Sequence, residues 1–410
     1  MKKCVSDVNR NLLIITIIFL TAGCALSDLL KSVGPVEGQS EDMVQKIHQP
    51  DSYFVPIEDF ENGQMKLYTG SYKFSHYQYT QVKGKPELVS VGKEIITTEL
   101  RTHVIENRYI KVALLPQFGG RIISIIDKKS GRELLYQGKD LRIIRSNAGN
   151  LHNDWHMGLG GVTPSLMQGD HGISWCMPWN SELVKADKEL ISIKMSYAVP
   201  DLPGALCSAV VSVDSKHSRV KTDYTLSASG ESAVSWYYRT SYRFAYFAGN
   251  SLFMPKLYTG DRNWFSYIDK NINAGVVRVA TGYPSPGIIG LAENFTGGLF
   301  SLPLICDLDP GQSVSWSEFL YPVNDMPIIM SAGNFCAYAL TKEKNHRFYF
   351  NYPGVEYEIQ FKRNGRLMFA RTVTPRGGEA FEVSARSLPA PADYLTIIFK
   401  GKEVLDSRDL

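Results

Sequence analysis

The stretch Leu190–Val199 reads LISIKMSYAV, and Ile191, Ile193, Met195, Tyr197 and Val199 stand at every second place in it. A second stretch, Arg219–Leu226 (RVKTDYTL), sets Val220, Thr222, Tyr224 and Leu226 against Arg219, Lys221 and Asp223. Ile110, Val112 and Leu114 alternate in the same way with Lys111 and Ala113. Successive side chains of a strand point to opposite faces, so a period of two means one face on a core and the other toward water. No segment carries a long amphipathic helical pattern, and Gly, Pro, Asn and Asp punctuate the runs at short intervals. The fold class that follows is all-β, a large antiparallel sandwich.

The pattern resets near the end of the chain. Val355, Tyr357, Ile359 and Phe361 alternate with charged and polar residues, and Asn364-Gly365 precedes Leu367 and Phe369. Asn-Gly between two alternating runs predicts a hairpin, since both residues accept positive φ. With Phe381–Val383 and Tyr394–Phe399, this predicts a small C-terminal β unit over 341–410, after a main domain over 61–340. Residues 24–60 are polar and unpatterned and read as a tether.

The first residues read as a targeting signal. Lys2, Lys3 and Arg10 form a basic stretch, Leu12–Leu20 is apolar but too short to span a bilayer well, and Thr21-Ala22-Gly23 precedes Cys24. This resembles a bacterial lipoprotein signal over 1–23, departing from it at Thr21, where an aliphatic is usual. The resemblance implies a lipid on Cys24, a membrane anchor and a place in the cell envelope, at the outer membrane. A formal net charge of +3, with no basic block interleaved with aromatics, gives no sign of a nucleic-acid partner. Cys176, Cys207, Cys306 and Cys336 match no metal-site spacing; they are either paired or buried thiols.

Glu106–Gln137, ENRYIKVALLPQFGGRIISIIDKKSGRELLYQ, reads as a strand, a Gly-Gly bend, a second strand and a Lys-Lys-Ser-Gly turn. It resembles the opening of the galactose mutarotase-like superfamily, in particular an uncharacterised envelope branch. The stretch WHMGLGGVTPSLMQGDHG from Trp155 to Gly172, and Leu308–Val323 (LDPGQSVSWSEFLYPV), resemble later pieces of it in the same order. The resemblance implies a β super-sandwich with a carbohydrate-sized cleft.

Opening and closing a sugar ring needs a proton donor and an acceptor on opposite sides of it, work that suits a histidine and a carboxylate. By that resemblance His171, with Asp170 beside it to orient it, rims the cleft, and Glu293 or Glu318 is the base. Arg121, Arg243 and Tyr246 would hold sugar hydroxyls or carboxylates. Trp175 and Trp179 would stack on pyranose faces, the alternative for any tryptophan here being burial in a core. The family's second histidine falls in Tyr237–Asn250, YYRTSYRFAYFAGN, which contains none. His152 and His156 lack the intervening glutamate of a zincin and an assigned third ligand, so neither a metal nor a cofactor is expected. The expectation is a carbohydrate-binding envelope lipoprotein. Acid–base chemistry of the epimerase, hydrolase or lyase type is one reading, and non-catalytic glycan binding is the alternative.

Overall fold

The computed structural model describes residues 54–81, 88–137, 143–145, 155–157, 159–166, 174–175, 177–200, 202–245, 264–269, 271–283, 290–294, 297–388 and 392–408. The signal, Cys24 and most of the expected tether lie outside the described residues. The fold reaches slightly further back than 61, since Phe54 is buried with its ring stacked on His103, 4.6 Å between centroids.

Strands account for almost all regular structure. The first are β1 (Phe60–Asn62), β2 (Met65–Gln81), β3 (Leu88–Glu106), β4 (Ile110–Leu115), β5 (Arg121–Asp127) and β6 (Arg132–Glu133). Then come β7 (Ile143–Arg145), β8 (Trp155–Met157), β9 (Gly161–Leu166), β10 (Asn180–Ala186), β11 (Leu190–Ala198), β12 (Ala205–Asp214) and β13 (Val220–Ala228). The main body closes with β14 (Val234–Arg243), β15 (Trp264–Asp269), β16 (Ala274–Thr281), β17 (Gly290–Asn294), β18 (Gly297–Leu308) and β19 (Ser313–Val323). Among the described residues there is no α-helix, and no helix is long and apolar enough to cross a membrane.

Two sheets make the main sandwich. One is ten-stranded in the order β1-β2-β3-β4-β5-β9-β14-β18-β17 with β6 beside β5; the other is seven-stranded in the order β10-β11-β12-β13-β19-β16-β15. Their neighbours pair antiparallel, and the large core between them joins Val112, Ile125, Val162 and Tyr242 of the first to Ile193, Val211, Leu226 and Leu320 of the second. The alternation in 190–199 and 219–226 is thus that of β11 and β13, which have one face on this core.

Strands β16 and the end of β19 are buried on both faces instead. Their second face, with Val277, Val279 and Tyr321, packs against Ala337, Ala339 and Tyr349 of a C-terminal unit. That unit is made of β20 (Ile329–Ala332), β21 (Cys336–Leu340), β22 (His346–Phe350), β23 (Tyr357–Arg363), β24 (Arg366–Val373), β25 (Ala380–Val383), β26 (Tyr394–Phe399) and β27 (Lys402–Arg408). Its two four-stranded sheets, β20-β21-β22-β25 and β24-β23-β26-β27, enclose a separate core around Phe348, Phe350, Ile359 and Ile397. It draws in two strands that precede the expected boundary at 341, because β20 pairs with β21 and β21 with β22. Asn364 and Gly365 form the turn between β23 and β24, with φ of 50° and 76°. Cys207, Cys306 and Cys336 are free thiols, while Cys176 lies outside the described residues.

Candidate functional site

Each sheet of the sandwich has a face turned away from the shared core. On the ten-stranded sheet, β14 sits between β9 and β18 in strict register. Arg243 stands opposite Gly161, Ser241 opposite Thr163, and Arg239 opposite Ser165. Val162, Leu166, Tyr238 and Tyr242 belong to the inter-sheet core, so the alternate residues of both strands line the outer face. That face is polar here: Arg239, Ser241 and Arg243 of β14 are half-buried, and the Thr163 and Ser165 hydroxyls beside them are buried. Toward β5 the same face turns apolar, where Phe74, Leu115, Phe118, Ile123, Leu159 and Trp175 form a second small core.

The recognisable Gly-Gly-Arg element builds the edge between these two halves. Gly119 and Gly120 have φ of 81° and 55°. A Cβ on Gly119 would stand 2.1 Å from the Trp175 carbonyl oxygen, and one on Gly120 would stand 2.4 Å from the Trp179 ring. Glycine is required at both, for conformation and for space. The Gly119 N–H donates to the Met177 carbonyl at 2.8 Å, and the Trp179 N–H to the Pro116 carbonyl at 2.9 Å. Arg121, 3% exposed, donates from Nε to Phe118 O (2.8 Å), from Nη1 to Gly160 O (3.1 Å) and from Nη2 to Trp175 O (2.6 Å).

These contacts tie together the two segments that flank Asp170 and His171 in the chain, a junction termed the neck. Gly160 and Trp175 bracket β9 and the loop, and both carbonyls are held by one guanidinium. The Leu166 N–H also donates to Ser174 Oγ at 3.2 Å, across the base of the loop. Asp170 and His171 themselves lie outside the described residues, as does Tyr246. Strand β9 ends at Leu166, one residue past Ser165, which stands opposite Arg239 in the next strand.

Three expectations are corrected by this arrangement. Arg121 was expected to hold sugar, but it is buried and each of its three nitrogens donates to a main-chain carbonyl. Trp175 and Trp179 were expected to stack on ligand, yet they are 3% and 1% exposed. The first packs edge-on against Phe118 at 5.8 Å, and the second stacks on Tyr197 at 5.7 Å. Their rings are large apolar surfaces, and the Gly-Gly bend gives them a place to bury that surface.

Glu318 is the fourth correction. It faces the core between the sheets, 1% exposed, and not the outer face of the ten-stranded sheet. Its Oε1 accepts from Arg278 Nη2 at 2.8 Å and from Trp316 Nε1 at 3.0 Å, and Oε2 accepts from the Tyr242 hydroxyl. Arg278 Nε donates to that hydroxyl in turn, at 3.3 Å. Burial opposes the charge on Arg278, but Glu318 and then Tyr242 outweigh it and raise its pKa. Tyr242 is pushed well above the usual phenol range by burial, with Arg278 opposing and Glu318 adding to the rise. A carboxylate neutralised by arginine and enclosed by Tyr224, Tyr238 and Trp316 is a structural ion pair, poorly suited to take a proton from a sugar.

Arg243 differs. It is half-buried, and among the described residues no carboxylate pairs with it. Burial holds its pKa below the ordinary arginine range, and Tyr136 raises it in part. Tyr136 lies close by, its N–H donating to the Arg243 carbonyl at 3.0 Å. Glu293 is on β17 at the far edge of the same sheet, its backbone opposite Gly298. Ser241, Thr163 and Ser165 were not singled out from sequence. The signal was present in WYYRTSYRF, where polar residues at 239, 241 and 243 alternate with aromatics at 236, 238, 242 and 244.

A family model described as a domain of unknown function, DUF5107, matches residues 79–159, a span that includes the Gly-Gly-Arg element. No curated protein matches the chain. Among solved structures, a TPR-domain containing protein from Parabacteroides distasonis is 13% identical with a TM-score of 0.51. The match covers 65% of this chain and 56% of that one, so the chain spans little over half of that protein's length. A galactose mutarotase related enzyme from Lactobacillus acidophilus is 10% identical with a TM-score of 0.39, over 55% of this chain and 98% of that one. A heparan sulfate lyase from Pedobacter heparinus is 8% identical with a TM-score of 0.36, over 67% and 39%. The likeness to the first is one of fold.

Proposed function

We propose that the outer face of the ten-stranded sheet along β9 and β14 binds carbohydrate, with the Asp170–His171 loop at its rim. The observation that carries this reading is the register of β9 and β14. It places Arg239, Ser241 and Arg243 beside Thr163 and Ser165, next to the tied root of the loop. Guanidiniums and hydroxyls in fixed rows suit a ligand rich in hydroxyl groups, since each donor or acceptor then finds a partner. In this reading Arg243 holds a sugar oxygen, Asp170 orients His171, and Tyr246 lies beyond the end of the same strand.

Binding without turnover is favoured by two observations. The Tyr237–Asn250 segment has no histidine, and Glu318 is committed to Arg278. If acid–base chemistry does occur here, His171 is its acid and Glu293 its base, in an epimerase, hydrolase or lyase reaction. The chain would be held at the cell envelope through a lipid on Cys24.

The test is a thermal-shift screen of the detergent-solubilised chain against a panel of saccharides, run beside His171→Ala, with product analysis of every hit. The expected result is a rise in unfolding midpoint with some saccharides that is reduced in His171→Ala, without product. Stabilisation by none of the panel would sink the proposal.

A further inference from the structure

We infer that the ligand of this face is an acidic oligosaccharide, carrying carboxylate or sulfate groups, laid along β14 from Arg243 past Arg239 to a shelf formed by Tyr237 and Ile305. This rests on the reading of the face as a carbohydrate site and deepens it.

Four side chains of β14, at 237, 239, 241 and 243, share the outer face. With a rise near 3.3 Å per residue, Tyr237 and Arg243 are about 20 Å apart along the strand, and the two arginines about 13 Å apart. One acid group cannot bridge the two arginines, and a single pyranose cannot reach both ends of the row. A chain of sugars with an acid group at its Arg243 end spans the row. The need for negative charge comes from Arg243. It is half-buried, and among the described residues no carboxylate balances it. A ligand anion would supply the pairing, with the bidentate geometry that arginine offers to carboxylate and sulfate alike.

The far end of the row has a different character. Ile305 on β18 is directly opposite Tyr237, and it is 72% exposed. Its neighbour Leu304 belongs to the buried core, so the alternation of β18 puts Ile305 on the outer face. A large aliphatic left in water beside a half-exposed phenol ring is an apolar shelf at the end of a cationic row. Pyranose C–H faces pack on such a surface, while an acid group further along reaches Arg243.

The experiment is calorimetric titration of the detergent-solubilised chain with three length series, each from one to six sugars. The series are a uronic acid oligomer, a sulfated oligomer and a neutral glucan, and polyglutamate is added as a non-sugar anion. The first two series separate carboxylate from sulfate as the source of charge. The expected result is at least tenfold tighter binding of the acidic tetramer than of the acidic monomer. Arg243→Ala should weaken the tetramer tenfold or more and flatten its salt dependence. Ile305→Asp alters an exposed residue, so it leaves the unfolding midpoint unchanged; it should weaken the tetramer while leaving the monomer as it was. Equal affinity for neutral and acidic tetramers, for monomer and tetramer, or for polyglutamate and the acidic tetramer would overturn the inference and leave a carbohydrate site of another kind open. Absence of binding by every saccharide would overturn it together with the reading beneath it.

Discussion

Glu318 shows what a single residue's pattern conveys and what it omits. Alternation in Ser315–Leu320 requires Ser317 and Glu318 to face opposite ways, and they do: Ser317 bonds Asp223 on the solvent side while Glu318 turns inward. The sequence contains no sign that inward means the space between two sheets. Its partner Arg278 lies 40 residues away, and only the pairing of β16 with β19 brings them together. Removing one member of a buried ion pair strands the other, so Glu318→Gln should lower stability by about 3–5 kcal/mol. Joint replacement with Arg278→Met should recover a large part of that loss. Urea denaturation of the three variants checks this; a Glu318→Gln protein as stable as the parent would contradict the structural role.

At the scale of elements, the neck of the Asp170–His171 loop and the β14 face were legible to different degrees. Gly-Gly within an otherwise regular strand pattern announced a bend or close approach, and Asn364-Gly365 announced its hairpin, because positive φ leaves a mark in composition. The use of Arg121 left no such mark. An arginine that binds three carbonyls and one that binds a ligand look alike in sequence, and the difference arises from chain segments up to 54 residues apart. The same holds for Trp175 and Trp179, whose burial depends on the Gly-Gly bend beneath them. Gly120→Ala places a methyl group into the Trp179 ring at a positive φ and should cost about 2–4 kcal/mol. Because the neck joins the segments on either side of His171, the saccharide response in the thermal-shift assay should fall with it. Retention of both stability and response in Gly120→Ala would remove the neck from the account.

The whole molecule joins a two-sheet sandwich to a smaller one through the double burial of β16 and β19. Lys129 and Glu379 add an ion pair across this junction at 2.9 Å, and the Arg219 guanidinium donates to Asn334 O at 2.5 Å. Two buried histidines make stability depend on pH. His103, in the main sandwich, and His346, in the C-terminal unit, both have pKa values lowered to about 4 by burial. Unfolded histidine titrates near 6.5, so between these values the unfolded state binds more protons. The stabilisation is complete above pH 6.5 and is lost as pH falls toward 4, by up to about 3 kcal/mol for each histidine. Denaturation midpoints measured from pH 7.5 to 4 should fall through that window, and His103→Phe should flatten part of the slope.

The measurement that bears most directly on the central claim is a crystal structure of the chain with the saccharide that stabilises it best. Sugar density is expected on the outer face of the ten-stranded sheet, over Arg239 and Arg243 and beside the end of β9 at Leu166. Density elsewhere on the molecule, with that face bare, would contradict it.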